Sequence, residues 1–247
     1  MIVAITGGTG FIGKHLIARH VALGDQVRYL TRNKTPEGIC GAAASVGNLN
    51  SPIETLRDFV RGADVLYHCA AELKDEAKME NTNVLGTANL LAAAIGEVGR
   101  WVQLSSTGVY GRIRDGYVSE KSKLAPANAY EKSKAEADEL VCNAAKERNL
   151  DCVLLRPSNV YGIDMPNQSL FQLIRMVERR MFLFVGKRGA VANYVHVENV
   201  VDALIACATV ELPVNRRTYI VSDHRTMEEF ISVIAAAVGR EPPSKRL

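Results

Sequence analysis

An apolar strand, Met1-Ile-Val-Ala-Ile-Thr6, runs directly into a glycine turn, Gly7-Gly-Thr-Gly-Phe-Ile-Gly13. Gly7 or Gly8 permits the tight turn, Gly10 lets backbone approach a pyrophosphate, and Gly13 lets the next helix lie close to the strand. The helix expected over roughly 12–23 aims its first N–H groups at the phosphates. A glycine turn alone is a weak signal. The strand before it and the helix after it make it a dinucleotide site, with Gly7, Gly10, Phe11, Ile12 and Gly13 as first contacts.

Beyond the turn, strand and helix patterns alternate. Strands are expected at 2–5, 26–30, 44–47, 65–69, 100–104, 152–156, 194–196 and 219–221. Helices are expected at 12–23, 52–60, 83–95, 130–148, 169–180, 197–208 and 227–238. This order predicts an α/β fold, a doubly wound parallel (Rossmann) sheet of six or seven strands with a small C-terminal substrate lobe. The dinucleotide-binding domain takes 1–160 and 194–221, and the lobe 161–193 and 222–247. The stretch Gly239–Leu247 carries no terminating pattern and reads as a connection onward, which would leave the lobe incomplete.

Composition narrows the function classes. A hydrophobic content of 47% is ample for a core, and a net charge of +3 without a basic run argues against nucleic acid. No apolar stretch is long enough to span a membrane, and the N-terminal run lacks the charged leader of a signal peptide. The five cysteines, Cys40, Cys69, Cys142, Cys152 and Cys207, have no CxxC spacing and read as buried thiols of a cytoplasmic protein. His68 and His196 belong to no cluster with ligand spacing, so no metal site is expected.

The chemistry centres on Tyr130 and Lys134, which share a helix face at i and i+4. Upstream, at the end of a strand, stands Ser105-Ser106-Thr107. A tyrosine exchanges a proton with a carbinol oxygen most readily when its pKa is lowered, and a nearby ammonium, with the positive charge of the oxidised nicotinamide, favours the phenolate. A serine hydroxyl holding the same oxygen fixes its orientation.

With these motifs the chain resembles the extended short-chain dehydrogenase/reductase family, of the NAD-dependent epimerase/dehydratase type. The resemblance extends through Tyr67-His-Cys-Ala-Ala71, Asn83-Val-Leu-Gly-Thr87, Ser105-Ser-Thr-Gly-Val-Tyr-Gly111, Tyr130-Glu-Lys-Ser-Lys134, Leu155-Arg-Pro-Ser-Asn-Val-Tyr-Gly162 and Tyr194-Val-His196. It implies Tyr130 as catalytic acid/base, Lys134 as its partner and a ligand of the nicotinamide ribose, and Ser106 as the catalytic hydroxyl, with Thr107 the alternative. It implies cofactor contacts from Ala70, Ala71, Asn83, Leu104, Pro157 and Ser158, and substrate contacts from Ser106, Thr107 and Asn159. It also implies a homodimer paired through the helices near 84–95 and 130–147.

Where NAD-preferring relatives carry an acidic residue at the end of the second strand, this chain has Thr31, followed by Arg32 and Lys34. A guanidinium there suits a 2′-phosphate, so NADP is expected ahead of NAD, although Arg32 stacked on adenine would suit either. Asn48, before Leu49, stands where the family usually has Asp, and its carbonyl can accept the same adenine hydrogen bond. Thr107 and Gly108 supply no acid and base after Ser106, which disfavours dehydration. Reduction of a nucleotide-linked 4-keto-6-deoxy sugar is the leading expectation, with 4-epimerisation behind it. Ala192 stands where a diphosphate-binding Arg is common, and Arg175, Arg179, Arg180, Lys187 and Arg188 could compensate. The gap keeps open a sterol-like or flavonoid-like ketone. An idle NADP-binding scaffold is the rival from another class, and the intact Ser106, Tyr130 and Lys134 weigh against it.

Overall fold

The structure, a computed structural model, describes residues 1–33, 38–112, 116–211 and 217–247. In chain order the strands are β1 (Ile2–Thr6), β2 (Gln26–Thr31), β3 (Ala42–Val46), β4 (Ala63–His68), β5 (Val98–Leu104), β6 (Cys152–Pro157), β7 (Asn159–Tyr161), β8 (Val191–His196), β9 (Arg217–Val221) and β10 (Asp223–Thr226). The helices are α1 (Phe11–Ala22), α2 (Ile53–Val60), α3 (Glu76–Met79), α4 (Gly86–Ala94), α5 (Ala129–Arg148), α6 (Ser169–Glu178), α7 (Val197–Thr209) and α8 (Met227–Ala237). The chain divides into two compact units, 1–158 with 197–221 and 159–196 with 222–247.

The first unit is a seven-stranded parallel sheet in the order β3-β2-β1-β4-β5-β6-β9. The chain builds outward from β1 to β3, then crosses to the other side of β1 with β4. That reversal leaves a crevice at the C-terminal ends of β1 and β4, the position where doubly wound sheets bind ligands. Its inner strands are buried on both faces, as parallel sheets require. Ala4, Leu66, Trp101 and Leu154 point into a core closed by Leu56 and Phe59 of α2, Leu90 of α4 and Val141 of α5. The alternate residues, including Val3, Ile5, Val65 and Val153, are buried too, and so are Leu16 and Ile17 of α1 and Val200 and Leu204 of α7.

The second unit holds a three-stranded sheet, β10-β8-β7, of which the sequence pattern disclosed β8 alone. Thr226 and Glu229 form a reciprocal capping box that starts α8. The tail does not lack structure as expected. Phe184 N–H donates to Lys245 O at 2.9 Å, Leu247 N–H to Phe184 O at 2.9 Å and Gly186 N–H to Leu247 O at 3.1 Å. The Arg246 guanidinium lies over the Phe184 ring, 4.8 Å from its centroid. Backbone pairing with a distant segment leaves no local pattern to read.

The helix expected from residue 83 begins at Glu76 and passes through a wider π turn, Glu80–Leu85, before continuing as α4. Its early turns bury little beyond Met79 and so show no apolar stripe.

Candidate active site

Gly7 takes the left-handed conformation, with φ of 69°. A Cβ there would lie 2.7 Å from the Ala70 nitrogen, so the turn and the end of β4 meet at backbone distance. Of the two candidates for the tight turn, Gly7 therefore makes it. Gly8 is required by packing, since its Cβ would strike Ile17 at 2.7 Å and Tyr29 at 2.8 Å. A Cβ on Gly13 would stand 2.1 Å from the Gly7 oxygen, so α1 is seated on the turn itself. The first turn of α1 has no side-chain cap and no acidic residue. Its N–H groups face the crevice end of β1, an arrangement that fits a pyrophosphate. The buried Ser158 Oγ, at the end of β6, has no hydrogen-bond partner, a further polar atom suited to a bound group.

The remaining expected cofactor residues divide. Thr31 is buried at the end of β2 and its Oγ1 accepts from Asn33 N–H at 3.2 Å, while Arg32 is exposed. Lys34 lies outside the described residues. Asn48 Oδ1 accepts from Asn50 N–H at 2.8 Å within its own loop. The Leu49 side chain belongs to the core. Asn83, expected at the cofactor, is buried and clamps two segments of the chain. Its Oδ1 accepts from Glu72 N–H at 2.7 Å, and its Nδ2 donates to Glu72 O at 3.0 Å and to Ser133 Oγ at 2.9 Å. With both amide hydrogens committed, it holds the loop after β4 to α5.

Ser106, Tyr130 and Lys134 come together where β5 ends. Ser106 caps the short turn Thr107–Tyr110, accepting from Gly108 N–H at 3.1 Å, and it acts on the Tyr130 phenol to hold its pKa down. Thr107 turns away, its Oγ1 donating to Pro157 O at 3.3 Å. Of the two hydroxyls considered, Ser106 is the one that reaches the tyrosine. Lys134 is buried and donates to Leu104 O at 2.7 Å. Burial lowers the Lys134 pKa, against the pull of Asp138 and Cys69.

The expected lowering of the Tyr130 pKa counted on Lys134 together with the nicotinamide charge; the chain's own groups push the phenol the other way. Burial, then the Asp138 charge, pushes the phenol up to about 12, with the Ser106 hydrogen bond opposing. The Lys134 ammonium is engaged by the Leu104 carbonyl, and Asp138 sits on the same helix face.

Two buried polar networks escaped the sequence reading. In the first, Ala70 N–H donates to Thr6 Oγ1 at 3.3 Å, Thr6 Oγ1 meets His68 Nδ1 at 2.7 Å and His68 Nε2 meets Thr87 Oγ1 at 2.9 Å. Thr87 donates onward to Asn83 O at 2.6 Å, which fixes the direction of every bond and places the His68 proton on Nε2. Burial and the Lys134 charge lower the His68 pKa to about 3, so the ring is neutral. Ser133, which donates to Tyr130 O at 2.9 Å, extends this network to the tyrosine. The second network joins Asp138, Arg156, Ser105 and Tyr110. The spacing of Tyr130, Lys134 and Asp138 at i, i+4 and i+8 was the available signal for it. Cys40, expected to be buried, is exposed, and all five cysteines are free thiols.

A glycine cradle at the reversal of a parallel sheet, beside a paired serine and tyrosine, defines a dinucleotide-binding enzyme of the Rossmann fold. The chain belongs to the NAD dependent epimerase/dehydratase family, which it matches over residues 3–221. It is 32% identical over 217 residues to the 4-hydroxy-2-methyl-3-oxo-4-farnesyl-3,4-dihydroquinoline-1-oxide ketoreductase of Stigmatella aurantiaca, a match covering 83% of this chain and 63% of that one. It is 31% identical over 235 residues to the low-salt glycan biosynthesis protein Agl12 of Haloferax volcanii, covering 83% of this chain and 72% of the relative. Among solved structures it is similar to MoeE5 in complex with UDP-glucose and NAD, with a TM-score of 0.79 and 27% identity over all of this chain and 85% of that one. Among the described residues no helix is long and apolar enough to cross a membrane, and no three His, Cys, Asp or Glu side chains gather where a metal could be held.

Proposed function

We propose that this enzyme reduces the 4-keto group of a nucleotide-linked 6-deoxy sugar, with NADPH preferred over NADH. The observation that carries the reading is the gathering of Ser106, Tyr130 and the buried Lys134 where β5 ends, with Ser106 acting on the phenol. A bound nicotinamide supplies the hydride. Tyr130 gives its proton to the carbonyl oxygen and Ser106 orients that oxygen. Lys134, tied to Leu104, would hold the ribose of a bound cofactor and keeps a positive charge beside the site. A phenol with a pKa near 12 is protonated at neutral pH, the state in which it can donate to a ketone. Epimerisation consumes no hydride overall and stands second, because the residues at the end of β2 favour NADPH, the cofactor a net reduction consumes.

Dehydration would need an acid and a base beside Ser106. The Thr107 hydroxyl is turned to Pro157, and the Glu131 carboxylate, which lies against Gly108, accepts from Ala127 N–H at 2.7 Å. NADPH is favoured because Thr31 replaces a carboxylate and Arg32 is exposed beside it, with its charge reaching Lys78. The second unit is proposed as the substrate lobe, with Asn159 a substrate contact. Pairing of two copies through α4 and α5 is proposed as the homodimer, and five free thiols suit a reducing, cytoplasmic setting.

A non-sugar ketone is the second reading, for a specific reason. The position two before Tyr194 is Ala192, buried and uncharged, and the relative from Stigmatella aurantiaca is a ketoreductase of a quinoline oxide. Against it, Arg225 stands opposite Ala192 in the strand register and brings a cation to that place. The deciding experiment follows nicotinamide absorbance with a UDP-linked 4-keto-6-deoxy sugar, NADPH and NADH in parallel. One NADPH oxidised per sugar reduced supports the proposal. A flat trace with no new sugar rejects this substrate class, and equal rates with the two cofactors reject the cofactor preference.

A further inference from the structure

The face of α5 that carries Tyr130 and Lys134 carries a third ionisable side chain, Asp138, two turns beyond the tyrosine. It is 2% exposed, and its surroundings are unusually specific. Ser105 Oγ donates to Asp138 Oδ2 at 2.7 Å, and Arg156 donates to the same oxygen through Nε at 3.1 Å and Nη2 at 2.9 Å. Burial raises the Asp138 pKa, and the Arg156 and Lys134 charges and the Ser105 hydrogen bond oppose it; three donors on one oxygen favour the ionised carboxylate. Arg156, itself buried on β6, sends Nη1 to the Tyr110 hydroxyl at 2.8 Å. Ser105 precedes Ser106, and Tyr110 closes the turn that Ser106 opens. The cluster therefore ties β5, β6 and the Ser106 turn to the helix that bears Tyr130.

We propose that Asp138 is a positioning residue for the Ser106–Tyr130 pair: gripped by Arg156, its carboxylate anchors Ser105 and fixes a negative charge on the tyrosine's helix face. The proposal rests on the reading of Tyr130 as proton donor. A purely structural ion pair explains the geometry less well. Asp138 Oδ1 is buried without a partner, a costly arrangement that a core selected for stability would avoid. The charge acts on both neighbours, raising the pKa of Tyr130 and opposing the lowering of Lys134 by burial. The other groups facing the pair are Glu131 on α5, Ser106 after β5 and, toward Lys134, His68 at the end of β4 and Cys69 after it. Glu131 adds to the effect of Asp138 on the phenol, and Ser106 opposes it.

The test is a titration of residue 130 in the full chain, with 3,5-difluorotyrosine placed there and followed by fluorine NMR. Fluorination brings the phenol into a range where the fold is intact. Asp138→Asn should lower the midpoint by about one pH unit, because the repelling charge is gone. Should the unpaired Arg156 prevent folding, Asp138→Asn with Arg156→Gln removes both charges and should lower the midpoint likewise. Ser105→Ala keeps the charge but frees the Ser106 turn, and should raise the midpoint by loosening the Ser106 bond. A folded Asp138 variant with an unchanged midpoint overturns the charge effect, and an unchanged midpoint in Ser105→Ala overturns the anchoring. Neither result depends on turnover, so a failure here is distinct from Tyr130 proving not to be the proton donor.

Discussion

At the scale of single residues, close backbone approach decides what each glycine does. Gly13 has the strictest requirement, since a methyl there would press on the Gly7 carbonyl at 2.1 Å. Gly13→Ala should weaken dinucleotide binding by about 10- to 100-fold, the cost of 1–3 kcal/mol of overpacking, while circular dichroism stays native. Unchanged affinity by calorimetry would mean that the turn does not hold the pyrophosphate. The motif was visible because its spacing is local, but the division of labour between Gly7 and Gly8 was not. It depends on Tyr29 of β2 and on Ala70, just beyond β4, which reach the turn from elsewhere in the chain. The upward push on the Tyr130 pKa was hidden for a similar reason. Lys134 at i+4 is evident in the chain, whereas burial and the Asp138 charge emerge only when α5 is packed on β5 and β6.

At the scale of elements, the hydrogen-bonded series through Thr6, His68, Thr87, Asn83 and Ser133 ties β1, β4, the helix from Glu76 and α5 together. Its middle member makes it sensitive to acid. His68 is held near a pKa of 3 in the folded chain, by burial and then by Lys134, against an ordinary value of 6.5. Between those values the unfolded chain binds a proton that the folded chain does not, so stability should fall as pH drops from 6.5 toward 3. The slope from this one group is at most about 1.4 kcal/mol per pH unit. Urea unfolding of His68→Gln should show a shallower pH dependence than the parent over that range; equal slopes would show that the ring is protonated in the fold. Long, periodic elements such as α5 and α7 were legible because each buries a stripe of its own. Polar β10, three-residue β7 and the tail pairing at Phe184 were not, since long-range partners create them.

At the scale of the whole molecule, the order of the sheet explains why the chemistry gathers at one edge. The glycine turn, Ala70, Ser106, Lys134 and Ser158 all lie at or beside the C-terminal ends of β1, β4, β5 and β6, where doubly wound sheets leave space for a ligand. The alternation of strands and helices made this architecture readable from the chain. Substrate identity was less readable, because the motifs serve the shared chemistry, while the positions around Ala192 and Arg225 come from segments with no motif. The central claim is that Tyr130 donates the proton in a dinucleotide-dependent reduction. Tyr130→Phe tests it most directly, with ketone turnover and NADPH binding measured on the same protein. Turnover should fall by about 10²- to 10⁴-fold while NADPH affinity stays within a few-fold of the parent. Turnover retained at the parent level in Tyr130→Phe would contradict it.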